Sequence, residues 1–217
     1  MAKADVQICK EALPNLMRRK AFVDAAREAF FDRGYAGTTM SSIAAAVGGS
    51  KTTLWAYFPS KEALFAAVVD DIIERHGKPL TMDLPLEEDP AAVLAQFADV
   101  LAKTLTSWPM IDLHRLVIGE AKRFPHLAKL FYERGPARGK ARLALYFRQL
   151  MEKGALRKGD PMQAARQFVA LCQSGGYQLA IFGLARHRAR SAAQETRMAV
   201  DVFMTFWGEK AGAKPKP

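Results

Sequence analysis

Near the N-terminus the residues with most chemical reach are Lys51, Thr52 and Trp55, carried on a seven-residue segment, Lys51 to Tyr57, whose apolar partners Leu54 and Phe58 fall at helical spacing. Lysine offers three donors to guanine acceptors or to phosphate, threonine a hydroxyl and a methyl, and tryptophan a wide apolar face suited to thymine methyls and sugars. So short a helix is not stable by itself and exists only by packing on neighbours. By periodicity alone, plain core packing is the commoner use of such a segment and DNA reading the alternative.

The remaining reactive residues point away from catalysis. His76, His114, His126 and His187 show no i,i+4 pairing, and Cys9 and Cys172 form no CxxC, so no metal, zinc or other cofactor is expected. Both cysteines read as reduced or buried thiols. No GxSxG, P-loop, HExxH or dinucleotide fingerprint is present, so the chain does not read as an enzyme; a helical protein-interaction module is the other competitor. Trp108, His114, Phe147 and Tyr177 are ring residues suited to a ligand cavity between helices, although each type more often serves a core or an interface. Glu120 and Arg123 share a helix with His114 and read as a solvated face.

The elements that must position these residues are helical throughout, since apolar residues recur at three and four and alternating β-branched runs are absent. The first helix runs from about Asn15 to Arg33, buries Phe22, Val23, Ala26, Ala29 and Phe30, and ends on a left-handed Gly34. Thr39 caps a short second helix that buries Met40, Ile43 and Val47. Gly48-Gly49 then turns the chain and Ser50 caps the Lys51 helix. Pro59 closes that helix, and Ser60 caps a fourth that carries Leu64, Phe65, Val68 and Ile72. A loop from Gly77 to Glu88, rich in proline and acid, separates two expected domains, 15–75 and 80–210. Asp89-Pro90 and Asp160-Pro161 each start a helix with a capping carboxylate before a first-turn proline. Pro109, Pro125 and Pro136 divide the stretch between them. Two long helices close the chain, about Pro161 to Arg186 and Ser191 to Trp207, with Phe168, Leu171, Cys172, Leu179, Met198, Val202, Phe203 and Phe206 on their apolar faces. Ser174-Gly175-Gly176 suits either a close helix approach or a kink, and Lys210 to Pro217 reads as a frayed basic tail.

The chain has 217 residues, half of them apolar, and a formal charge of +10, which favours an anionic partner, nucleic acid first. That excess is unevenly placed. Residues 1–78 hold eleven Lys and Arg against nine Asp and Glu, a net +2, while residues 79–217 carry the other +8. No signal-peptide stretch and no apolar run of about 20 residues occurs, so a cytoplasmic protein without membrane association is expected.

From Phe22 to Val68 the string FVDAAREAFFDRGYAGTTMSSIAAAVGGSKTTLWAYFPSKEALFAAV resembles the N-terminal domain of the tetracycline-repressor (TetR) family. The matching elements are Ala25-Ala26, Phe30, Gly34-Tyr35, Thr38-Thr39, Ile43-Ala44, Gly48, Ser50, Thr53-Leu54, Tyr57-Phe58 and Ser60-Lys61-Glu62, in order and at unbroken spacing. The resemblance implies an all-α protein: an N-terminal three-helix helix-turn-helix DNA-binding domain followed by a larger C-terminal helical domain for ligand binding and dimerisation. It implies that Thr39, Tyr57 and Lys61 contact phosphates and that Ser41, Lys51, Thr52, Thr53 and Trp55 face bases, with Ser50, the cap of the Lys51 helix, also among the DNA-binding residues. Val47 replaces a usual alanine, Gly49 a usual valine, Thr52 a common glycine and Trp55 a usual tyrosine. The Gly49 change removes core methyls and is expected to loosen the turn. Trp55 loses a phenolic oxygen for which its indole N–H can substitute.

Beyond residue 110, RLVIGEAKRFPHLAKLFYERGP and GALRKGDPMQAARQFVALCQSGG resemble the C-terminal domain of the AefR-like subgroup of these regulators. The resemblance implies a homodimer through the last two helices, an effector pocket among the central ones, and a near-palindromic double-stranded operator. Repression relieved by an unidentified small molecule is the behaviour it implies.

Overall fold

The computed structural model describes residues 2–184 and 189–209, with side chains described for 14–184 and 193–209. Cys9, His187 and the basic tail from Lys210 lie outside the described side chains. The described residues fold into α1 (Ala2–Gly37), α2 (Met40–Ala46), α3 (Lys51–Tyr57), α4 (Lys61–His76), α5 (Pro90–Leu105), α6 (Trp108–Glu120), α7 (Pro125–Arg134), α8 (Pro136–Glu152), α9 (Pro161–Cys172), α10 (Gly176–Ile181) and α11 (Ala189–Trp207). A single 3₁₀ turn, Lys78–Leu80, lies in the loop after α4. Among the described residues the one bridge of β type joins Leu156 to Gly208. No described helix is long and apolar enough to cross a membrane.

Two compact units result, one made of residues 1–73 with 112–131 and the other of residues 74–111 with 132–217. In the first, α1 is longer than expected: it begins at Ala2 rather than Asn15 and carries Pro14 inside, because residues 2–13 are mostly good helix formers and contain no glycine to stop them. Helical geometry breaks where the sequence places it, at Gly34, with φ 72° and ψ 169°. Phe22, Phe30, Ile43, Leu54, Leu64, Phe65 and Val68 are all fully buried and form this unit's core with Tyr35 and Phe58. Rings set its geometry: Phe30 stacks on Tyr35, and Phe65 meets both edge-on at 5.6 Å. Arg27 reaches Asp24 at 2.9 Å and Asp71 at 3.4 Å, tying α1 to α4.

In the second unit Asp89 and Asp160 cap α5 and α9 as their sequence contexts require, Asp160 accepting the Met162 N–H at 2.8 Å. Helices α5, α8, α9 and α11 pack around Phe97, Phe147, Phe168 and Phe203. Phe203 lies 5.0 Å from both Phe147 and Phe168. Trp207 closes one end, its indole N–H donating to Gln167 Oε1 at 2.8 Å. The expected helix from Pro161 to Arg186 is instead two, α9 and α10, separated at Gln173–Gly175. At Gly175 a Cβ would collide with Glu195 Oε2, and the same oxygen accepts the Gly176 N–H at 3.0 Å. A carboxylate from α11 thus occupies the place of a side chain, and the chain bends around it. Cys172 is a free, half-buried thiol whose pKa burial pushes up to about 12, so its reactive thiolate is disfavoured.

Candidate nucleic-acid interface

Two seven-residue helices need their ends satisfied, because neither is long enough to be stable by propagation. The Thr39 hydroxyl accepts the Ser42 N–H at 3.1 Å, and Ser42 Oγ accepts the Thr39 N–H at 3.3 Å, a reciprocal capping box. Ser50 Oγ accepts the Thr53 N–H at 3.1 Å and pairs with the Thr53 hydroxyl at 2.8 Å. Between the helices Gly48 turns at φ 69°, and the Gly49 N–H donates to Ala44 O at 3.0 Å. Leu54 is buried against this frame, and Phe58 behind it is covered by Arg19, whose guanidinium lies 5.0 Å from the ring centre. Arg19 belongs to a basic run, Arg18-Arg19-Lys20, that sequence reasoning passed over.

What remains outward on α3 is Lys51, Thr52 and Trp55, the last 47 % exposed, while Thr53 and Tyr57 are half-buried. Thr39, Ser41 and Ser50 are exposed at the starts of α2 and α3. Cation, hydroxyls and an aromatic face are thereby presented together by one capped helix pair, chemistry that is able to meet base edges. The loosening expected from Gly49 is not seen. A Cβ there would meet Phe22 Cζ at 3.2 Å, so the Phe22 ring fills the space that valine methyls would take, and the turn stays closed.

Lys61 behaves differently from the other expected phosphate partners. Its Nζ donates to Tyr35 O at 2.8 Å and to Thr38 O at 2.9 Å and sits 4.2 Å from the Tyr35 ring centre. Burial lowers its pKa, against the pull of Glu62 and Glu120. Burial likewise pushes the Tyr35 phenol well above its ordinary range, with Glu62 and Glu120 adding to the shift. Glu120 itself is no idle surface charge. Its Oε1 accepts the Ala36 N–H at 2.9 Å, a contact hidden from the sequence by the 84 positions between them.

The four ring residues expected at a ligand cavity have separate surroundings. Phe147 is fully buried in the aromatic core, and Trp108 at the start of α6 is 74 % exposed. Tyr177 is half-buried on α10, where burial raises its phenol pKa. His114 is buried edge-on to Phe131 at 4.9 Å. In the second unit a concavity of about 510 Å³ between α9 and α11 is lined instead by Gln167, Ala170, Leu171, Val202, Phe206 and neighbours. Among the described residues no three His, Cys, Asp or Glu side chains gather as a metal site would need.

Two family profiles match the chain: "Bacterial regulatory proteins, tetR family" over residues 22–68, and "AefR-like transcriptional repressor, C-terminal domain" over residues 92–209. The fold is similar to that of the flavonoid-responsive regulator FrrA, with a TM-score of 0.77 at 33% identity over 90% of this chain and 99% of that one. A TetR-family regulator from Mesorhizobium loti MAFF303099 is similar at 0.72 and 30%, over 89% of this chain and 98% of its own. In sequence, 110 residues are 33% identical to the transcriptional repressor ComR of Escherichia coli K12, a match to 49% of this chain that spans only about half, 52%, of ComR.

Proposed function

The chain belongs to the tetR family of DNA-binding transcriptional regulators, a non-enzymatic family, and carries an AefR-like C-terminal domain; from that premise we propose that it is a cytoplasmic repressor released from its operator by a small molecule. It acts as a homodimer on a near-palindromic duplex, with residues 15–75 reading DNA and residues 80–210 dimerising and holding the effector. In this reading Lys51, Thr52 and Trp55 face bases, with Ser41, Ser50 and Thr53 beside them, while Thr39, Tyr57 and the third N–H of Lys61 take phosphates. Phosphate contacts fix the register and base contacts carry the sequence preference.

One observation carries the dimeric part. On α11, Ala199, Val200, Phe203 and Trp207 are buried within the unit, yet Met198, Val202 and Phe206 recur every four residues on another side and stay 58 %, 49 % and 52 % exposed. A helix apolar on two sides is covered on two sides. The stripe adjoins the concavity between α9 and α11, and a self-complementary patch of this kind suits a two-fold pairing. Two recognition helices then stand about one helical turn of DNA, roughly 34–36 Å, apart. Protection of an isolated half-site by a monomer in a footprinting experiment would overturn this geometry.

Repression is supported by the likeness to ComR, and a small-molecule response by the likeness to FrrA, which is named for its response to flavonoids. A panel of flavonoids and simpler aromatic acids, titrated by thermal melting and by operator binding, tests the release. An effector should raise the melting temperature and weaken operator binding by about 5- to 150-fold. Ligands that stabilise the protein and leave operator affinity unchanged would refute release. Tyr177, neither fully buried nor fully exposed, is the first of the four ring residues to replace in mapping the effector.

A further inference from the structure

We propose that Glu120 is a positioning residue for DNA reading: its carboxylate fixes the turn from Gly34 to Thr39 from which the helix-turn-helix hangs. The inference rests on the DNA-reading assignment of α2 and α3 and adds to it a residue outside the segment, residues 22–68, that the DNA-binding profile covers.

Past the break at Gly34 the backbone of this turn has lost its regular helical acceptors, and each polar group needs a new partner. The hydroxyl of Thr38, which is fully buried, donates to Ala29 O at 2.9 Å and Gly34 O at 2.8 Å. Lys61 covers the carbonyls of Tyr35 and Thr38. On the amide side the Ala36 N–H goes to Glu120 Oε1 at 2.9 Å. Gly34 makes that approach feasible, since a Cβ there would lie 3.1 Å from the same oxygen while its φ of +72° already disfavours any other residue. The turn is thus held between a cation from the first residue of α4 and an anion from the last residue of α6.

The next residue is Thr39, whose capping box starts α2, and α3 packs on α2 through the Gly48 turn. Any displacement of residues 35–38 therefore moves the base-reading face as a body. A carboxylate close to a phosphate-binding surface weakens DNA affinity if it does nothing else, which sets the two roles of Glu120 against each other experimentally. Gly34, Ala36 and Glu120 also border a solvent-open concavity of about 640 Å³. Without the carboxylate, water reaches the Ala36 N–H and the turn loosens, while the buried core of the unit stays intact.

The test uses the full-length protein and a duplex selected by the wild type from a randomised pool. Glu120→Ala and Glu120→Gln are compared for affinity and for hydrogen exchange over residues 34–40. The glutamine oxygen still accepts from Ala36, so Glu120→Gln should keep the slow exchange and bind at least as tightly as wild type. Glu120→Ala should exchange faster and bind about tenfold more weakly, the scale of one lost charge-assisted hydrogen bond, because the reading-competent turn is then only fractionally populated. If both variants bind more tightly to an equal degree, Glu120 is only a repelling charge and the proposal fails. It fails too if Glu120→Ala lowers the melting temperature but leaves affinity and exchange unchanged.

Discussion

Between Gly34 and Phe58 the bends of the backbone are closed by polar side chains: Glu120 on Ala36, Lys61 and Thr38 on the α1 carbonyls, Thr39 with Ser42, Ser50 with Thr53. Between Pro161 and Trp207 the chain is held ring against ring, Phe168 on Phe203 and Phe203 on Trp207, and still has apolar surface to spare at Met198, Val202 and Phe206. The contrast follows from length. Seven-residue helices bury too little area to hold themselves, so caps must fix them and their outer faces are left free for a ligand. Helices of twelve and nineteen residues, α9 and α11, hold by burial, and an apolar face in excess of the unit's own core is then available for a second copy.

The contrast is tested hardest at α11. Val202→Glu and Phe206→Glu place a charge in the exposed stripe, where the isolated subunit tolerates it and a buried dimer face does not. Sedimentation should show a monomer with unchanged helical content, and operator affinity should fall by about 10²–10⁴, the gain that coupling two half-site contacts supplies. Variants that stay dimeric would move the interface elsewhere.

The second test separates two lysines of the reader. Lys51 is exposed, so Lys51→Ala should leave the melting temperature unchanged and relax the preference at one base position by about 1–3 kcal/mol. Lys61 is committed to two carbonyls. Lys61→Ala should therefore lower stability by about 1.5–3 kcal/mol as well as weaken binding to every sequence. A Lys61→Ala protein as stable as wild type, with only a flatter salt slope, would mean that the amine serves phosphate alone.

Thr38→Val is the smaller, cleaner version of the same test. The shapes match, and only the hydroxyl shared between Ala29 O and Gly34 O is lost. Chemical denaturation should register a loss of about 1–2 kcal/mol with the slope unchanged.

Much of the reader was visible in the residues themselves, because its signals are local. Gly34, Thr39, Gly48, Ser50 and Ser60 sit where caps and left-handed turns require them, and each partner lies within five positions. What escaped was long-range. Glu120 read as a solvated charge since its partner is Ala36, and although Ser174-Gly175-Gly176 suited a kink or a close helix approach, Glu195, the group that sits against the break at Gln173–Gly175, comes from another helix and could not be named. The 3.6-residue period registers which face is apolar, but not whether that face meets its own subunit or another, so Phe203 and Phe206 look alike in sequence and part ways in burial. Ring residues chosen for a cavity by type alone scattered for the same reason: Phe147 went to the core and Trp108 to solvent.

The smallest expected effect concerns a compensation inside the reader. Valine is usual at position 49 in the resembling family, so Gly49→Val would ordinarily restore a favoured residue. Here the Phe22 ring, itself fully buried and 5.8 Å from the Tyr57 ring centre, already stands 3.2 Å from where the Cβ would be. Ring edges cannot swing aside as a flexible side-chain end does, so the added methyls overpack the turn and should cost about 1 kcal/mol. Phe22→Leu alone removes ring atoms and leaves a cavity, also destabilising. If the ring and the glycine have adapted to one another, the double variant should be more stable than the two losses added together predict, with a coupling of at least about 0.5 kcal/mol. Thermal and denaturant unfolding of the four proteins in the cycle measures that coupling. Strict additivity would mean that Phe22 does not stand in for the missing valine, and that the turn at Gly48-Gly49 is held by its backbone hydrogen bonds alone.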